Sequence, residues 1–273
     1  MAQASWGIVM TVREPQVLVQ ANVAWHLALG ASEIHVYFDD PRDLAAGVLG
    51  PLPGVIATMC NDAHWLSVAP AKRRPPGQMR RQALNANHAL SRCKVDWLVH
   101  LDADEFLSCD GDLSEVLGHL LRIGGEIVFP VLERFYPEGE VFATVFDGSF
   151  RRSTRGTFWR HSEDTLAKTL FGDAHGALVK GVVGHSAGKC AVPRDAGLRL
   201  GIHWSFVGET RDRAPSMTMT NVHLLHFDGL TPLHFMAKLL GYASDDPKTA
   251  NLPAHRLAQI DLLHEANGVP DAL

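Results

Sequence analysis

The stretch Asp96–Ser108, DWLVHLDADEFLS, sets an apolar run directly against Asp102, Asp104 and Glu105. A carboxylate buried without a partner costs several kcal/mol or loses its charge. A strand that is apolar along its length and acidic at its tip therefore implies that the tip opens into a cleft. At such a strand-to-turn transition Asp102 and Asp104 can converge on one hard divalent cation, which prefers oxygen ligands and keeps room for waters and phosphates. D-x-D alone is more often a turn or a helix N-cap. Its weight here comes from its company: an apolar strand before it, Glu105 and Phe106 after it, and polar residues ending the three preceding strands.

Those strands alternate with helices. WGIVMTV (6–12) is a short β-branched strand, and VLVQANVAWHLALG (17–30) is a helix ending at Gly30, placed as a C-terminal cap. EIHVYF (33–38) is a strand ending at Asp39 and Asp40, DLAAGVLGPLPG a short helix or turn, and VIATMC (55–60) a strand ending near Asp62. QMRRQALNANHALSRC (78–93) has helical composition and precedes the buried strand VDWLVHL. This order predicts an α/β fold with a central, mostly parallel sheet flanked by helices, whose ligand lies beyond the carboxyl ends of the strands. From about Glu133 the pattern turns to short strands and glycine turns, suited to an acceptor-binding half. The division expected is 1–135 and 136–273, within one domain and ending in a loop and a terminal helix.

Composition agrees with a globular chain: 273 residues, 46% hydrophobic and 20% charged, enough for a sizeable core. A formal net charge of −5 opposes a nucleic-acid partner, and the basic runs AKRRPP and MRRQ read as a solvated loop and a helix face. The four cysteines, scattered at 60, 93, 109 and 190, read as reduced thiols of a cytosolic protein. Neither a signal peptide nor a membrane span is expected, although peripheral contact with the inner face of a membrane is compatible with the sequence.

Together IVMTVRE, VAWHLALGASEIHVYFDD, RRQALNANHAL and DWLVHLDADEFL resemble the glycosyltransferase family 2-like group, which has a GT-A nucleotide-sugar-binding fold, and within it the subset carrying D-x-D-E-F-L. The resemblance covers roughly the first 135 residues strongly; GHSAGKCAV, LGIHWS and LLHFDGLTPLHFMAKL extend it more loosely. It implies transfer of a sugar from a nucleoside diphosphate sugar, a UDP-sugar favoured, to a glycan or lipid-linked acceptor in polysaccharide biosynthesis. It places Mn²⁺ or Mg²⁺ on Asp102 and Asp104, with His226 as third ligand. Thr11, Val12, Arg13 and Ala103 would line the nucleotide, Asp39 or Asp40 would accept from ribose hydroxyls, and Asp62 from a base N–H. The family's usual aspartate-asparagine pair appears here as Asp39-Asp40-Pro41.

Of Arg80 and Arg81, which face different directions on a helix, Arg80 is expected toward the base or phosphate and Arg81 toward solvent. Lys189 and Lys238 are candidate diphosphate contacts, with surface lysine as the default for either. For the catalytic base, RHSEDTLAKTLFGD (160–173) offers Asp164 within a Glu-Asp pair, although Ser162 capping a helix N-terminus explains the same letters. The histidines 223, 226 and 234 lack the pairing of a structural zinc site. The alternative from a different class is a nucleotide- or carbohydrate-binding protein that keeps the fold without catalysis. A metal-dependent phosphohydrolase would need a second ligand cluster, which the Asp and His spacings do not supply.

Overall fold

The computed structural model describes residues 3–121, 123–137, 139, 141–154, 160–244 and 252–265, without the side chains of 160–164 and 243–244. In chain order the strands are β1 (Trp6–Val12), β2 (Glu33–Phe38), β3 (Val55–Met59), β4 (Trp97–His100), β5 (Glu105–Cys109), β6 (Glu126–Phe129), β7 (Val131–Phe135), β8 (Ser149–Arg152), β9 (Lys189–Pro193), β10 (Leu198–Leu200), β11 (Ser205–Val207), β12 (Ser216–Thr218) and β13 (Val222–His226). The helices are α1 (Gln16–Ala28), α2 (Ala45–Leu49), α3 (Asp62–Val68), α4 (Gln78–Leu90), α5 (Leu113–Leu120), α6 (Arg160–Phe171), α7 (Pro232–Ser244) and α8 (Ala254–Glu265). Two compact units result, Met1–Pro130 with Ala187–Leu224, and Val131–Ser186 with Leu225–Leu273. Where the sequence suggests one division at 135, the chain leaves the first unit at Pro130 and returns to it at Ala187.

The first unit is built on a seven-stranded sheet of order β12-β6-β9-β4-β1-β2-β3. β1 pairs in parallel with β2 and with β4, β2 with β3, and β6 with β12. β9 alone in this sheet runs antiparallel, inserted between β4 and β6. Parallel strands covered on both faces are apolar throughout, and every residue of β1 and β4 is buried. On one face Val9, Tyr37 and Leu98 pack with Trp65 of α3 and with Ala86, Ala89 and Leu90 of α4. Elsewhere in the unit α1 sets the His26 ring edge-on to Trp6 and stacked on Phe106. The central, mostly parallel sheet flanked by helices is the architecture that the β-α alternation predicts.

Between β1 and β4 the strand order changes direction, since β2 and β3 continue to one side and β4 begins the other. Such a switch point leaves a crevice beyond the carboxyl ends, because the connecting helices diverge to opposite faces. The strand ends are held in step there: the Asp39 amide donates to Val12 O at 3.0 Å, Leu101 N–H to Val9 O at 3.0 Å, and Cys60 N–H to Phe38 O at 3.0 Å.

In the second unit β7 and β8 form an antiparallel pair running from Leu132↔Arg152 to Phe135↔Ser149. Helices α7 and α8 share an apolar cluster of Leu239, Ile260 and Leu263, with Phe235, Met236, Tyr242 and Leu252 packed on it. Helix α6 begins at Arg160, so Ser162, expected to cap it, lies inside its first turn. Among the described residues no helix is long and apolar enough to cross a membrane.

Candidate functional site

The tip of β4 is the acidic end of the stretch Asp96–Ser108. Asp102 lies just past the strand, its side chain 27% exposed, and each of its carboxylate oxygens accepts a hydrogen bond. Gln82 Nε2, from α4, donates to Oδ1 at 2.6 Å, and Lys189 Nζ, from β9, donates to Oδ2 at 2.7 Å. Glu105 is fully buried; its Oε2 accepts the Asp102 amide at 2.7 Å and lies 3.3 Å from Lys189 Nζ. The Glu105 amide donates back to the Asp102 carbonyl at 3.1 Å, closing a reciprocal turn over 102–105. Asp104 and Ala103 are buried within that turn.

Lys189 is not the surface lysine that is the default for that residue type: it is fully buried. Burial alone would lower its pKa, but the charges of Asp102 and Glu105 outweigh it and hold the ammonium above its ordinary value. The glycine before it makes this possible. A Cβ on Gly188 would lie 2.0 Å from the Phe129 carbonyl oxygen, so only glycine lets β9 pass β6 closely enough to bring Lys189 to the tip of β4.

At the end of β2, Asp39 is buried and bound twice by one guanidinium: Arg81 Nε donates to Oδ1 at 2.9 Å and Nη2 to Oδ2 at 3.0 Å. Arg74 Nη2 adds a third bond, to Oδ2 at 2.7 Å. Arg80, the residue expected toward the site, is exposed, and Arg81 is the buried one. The reason is helical phase, since one residue along α4 turns the side chain by about 100° and only Arg81 reaches the sheet edge. Asp40 forms a surface pair with Arg42 instead. Asp62 is exposed in the first turn of α3, which Asn61 caps by accepting the His64 amide at 3.0 Å.

Val12, the last residue of β1, is buried in the core, and Arg13, just past the strand, is exposed. Thr11 Oγ1 accepts from Asn85 Nδ2 at 3.0 Å, and Asn85 Oδ1 bonds His64 Nε2 at 2.8 Å. Sequence reasoning missed this chain of Thr11, Asn85 and His64, and it also missed the latch on the acidic turn. Asn22 Nδ2, from α1, donates to the carbonyls of Ala103 at 3.0 Å and Glu105 at 2.7 Å. His26 Nε2 accepts the Leu107 amide at 3.2 Å while Nδ1 lies 2.9 Å from the Asn22 carbonyl, which fixes a neutral tautomer with the proton on Nδ1. The signal available in the sequence was an Asn and a His four apart on the apolar face of α1.

In the second unit His226 is buried, with Nδ1 3.4 Å from Glu133 Oε2, Nε2 3.9 Å from Asp228 Oδ1, and its ring 4.8 Å from that of His185. Lys238 reaches Asp228 at 2.8 Å, as does Arg256. Burial would raise the Asp228 pKa, but these two cations outweigh it and hold the carboxyl well below its ordinary range. Asp164 sits on α6, and its side chain lies outside the described residues.

The tip of β4 offers oxygen donors, and of its three carboxylates Asp104 and Glu105, but not Asp102, fall in groups of side chains whose ligand atoms lie close enough to share an ion. Asp102, Asp104 and Glu105 are three carboxylates within four residues, and Lys189 supplies one positive charge to that group. All three offer oxygen, the ligand that Mg²⁺ and Mn²⁺ prefer. Acidic and histidine side chains able to offer ligand atoms occur in both units.

No protein-family model and no curated protein sequence matches the chain. Solved structures to which it is similar include GalNAc-T7 with UDP, GalNAc and Mn²⁺, at 11% identity and TM-score 0.44, over 82% of this chain and 43% of that one. Another is HddC from Yersinia pseudotuberculosis, at 8% identity and TM-score 0.43, over 86% and 97%. A third is S. aureus TarS 1–349 in complex with UDP-GlcNAc, at 9% identity and TM-score 0.35, over 53% and 41%. The chain spans under half of the GalNAc-T7 structure's length.

Proposed function

We propose that this chain is a metal-dependent glycosyltransferase that moves a sugar from a nucleoside diphosphate sugar, a UDP-sugar favoured, to a glycan or lipid-linked acceptor. One observation carries the reading: three carboxylates at the tip of β4, at the switch point of a mostly parallel sheet, with Asp104 buried among them. The motif resemblance over the first 135 residues supports it.

In this reading Asp104 would hold Mn²⁺ or Mg²⁺, which would supply positive charge against the negative charge that a departing diphosphate gains. The chain's own residues do the rest. Asn22 and Glu105 fix the backbone of the acidic turn before any ligand arrives, so little ordering cost falls on binding. Arg74, half exposed on Asp39, presents guanidinium N–H groups beside the nucleotide position at the end of β2. Asp164 is assigned as the base that takes the acceptor's proton.

Calorimetric titration with UDP and with GDP, with and without Mn²⁺, tests the reading alongside Asp104→Asn. The expected result is Mn²⁺-dependent binding of UDP that the substitution abolishes in a protein that remains folded. Binding of neither nucleotide would refute it. The competing reading, a protein that binds a nucleotide or carbohydrate without transferring it, is favoured by the fact that the Asp39 and Asp102 oxygens already accept hydrogen bonds from within the chain. It predicts saturable UDP-sugar binding with no sugar released to any acceptor or to water.

A further inference from the structure

We infer that Lys189 is a built-in monovalent cation of the acidic tip: it satisfies Asp102 and Glu105 from within the protein and limits the tip to a single divalent ion, held through Asp104. The inference rests on the metal reading above and assigns a positioning role to a residue 87 positions away in sequence.

Three observations carry it. The ammonium is fully buried and lies 2.7 Å from Asp102 Oδ2 and 3.3 Å from Glu105 Oε2, so it bridges two of the three carboxylates. Asp102 is bonded on both sides, by Gln82 at Oδ1 and Lys189 at Oδ2, which orients its carboxylate plane and places a positive charge where a second divalent ion would otherwise sit. Lys189 is delivered by construction, because the antiparallel insertion of β9 beside β4 brings its first residue to the tip and Gly188 clears the path. A buried ammonium held by two carboxylates is costly to assemble, and breaking it leaves uncompensated charge behind.

Asp102, Asp104, Glu105 and Lys189 carry three negative charges and one positive. One dication balances that excess of two, whereas without the ammonium the Asp102–Glu105 pair alone carries an excess of two, which a further dication would balance. Lys189 also repels a dication placed on Asp102, leaving Asp104 as the principal ligand.

The test is the number of Mn²⁺ ions bound per chain, measured calorimetrically with and without UDP, together with the melting temperature. The unsubstituted chain is expected to bind one ion, Asp104→Asn none, and Lys189→Met two, because Asp102 and Glu105 then take up an ion in place of the ammonium. A folded Lys189→Met that still binds one ion at unchanged affinity overturns the inference. Should Lys189→Met fail to fold, Asp102→Asn decides, since its amide oxygen still accepts from Lys189. The expected result is one ion at an affinity within a few-fold of the unsubstituted chain. Loss of Mn²⁺ binding in Asp102→Asn, as in Asp104→Asn, overturns the inference and leaves the glycosyltransferase reading intact. Absence of Mn²⁺ binding in the unsubstituted chain, with UDP present, overturns both.

Discussion

Lowering the pH from 7 to 5 is expected to remove about 2 kcal/mol of stability through His26 alone. Burial is the main cause: it pushes the imidazole from its ordinary 6.5 down to about 4, against a smaller upward pull from the Asn22 carbonyl. Geometry gives the same direction, because Nε2 accepts the Leu107 amide and a proton on that nitrogen would face an N–H. The unfolded chain binds the proton near 6.5 and the folded chain only near 4. The stabilisation is therefore complete above 6.5 and is lost as pH falls through that window. At pH 5 the unfolded histidine is almost wholly protonated and the folded one about one-tenth so, which gives the 2 kcal/mol. Urea denaturation at the two pH values, for the unsubstituted chain and for His26→Leu, isolates the contribution. The variant should be less stable at pH 7, because the Leu107 amide loses its acceptor, yet its loss on going to pH 5 should be about 2 kcal/mol smaller. Equal losses in the two proteins, or an imidazole titrating near 6.5 by NMR, would refute the reasoning.

Arg81→Met should cost about 3 kcal/mol or more, because Asp39 stays buried with only the half-exposed Arg74 to hold it, whereas Arg80→Ala should stay within about 0.5 kcal/mol. Denaturant midpoints check both, and similar effects at the two positions would contradict the phase of α4. Gly188→Ala should destabilise by about 3 kcal/mol or more, since its Cβ meets the Phe129 carbonyl, and amide exchange should speed up along β6 and β9 before it does along β1 and β2. Uniform exchange would argue against a local clash.

The parallel half of the sheet was legible because each of its strands is a short apolar run bounded by a polar residue or a helix. EIHVYF and WGIVMTV coincide with β2 and β1, and Gly30 takes the positive φ of a helix stop. The acidic tip was legible for the same reason, as an abrupt break in polarity. Arg81 was not, because two adjacent arginines carry no phase information until the helix is docked. Lys189 read only as a candidate diphosphate contact with surface lysine as the default, because its place depends on β9 entering the sheet about ninety positions after β4, and no local pattern encodes that pairing. Asn22 and His26 were hidden for a related reason: polar residues on an otherwise apolar helix face read as tolerated exceptions until their backbone partners are known.

The insertion of β9 also sets an order of assembly. During synthesis β1 to β4 emerge with all their parallel partners in hand, yet β6 is separated from β4 by the place that β9 will fill. Until the ribosome has released residues 189–193, β4 is an unpaired edge open to other chains, and its carboxylates lack their ammonium. The acidic tip is encoded early in the chain and completed late. A nascent chain halted before Lys189 would thus be exposed to chaperones and to off-pathway strand pairing at the edge that later frames the cleft.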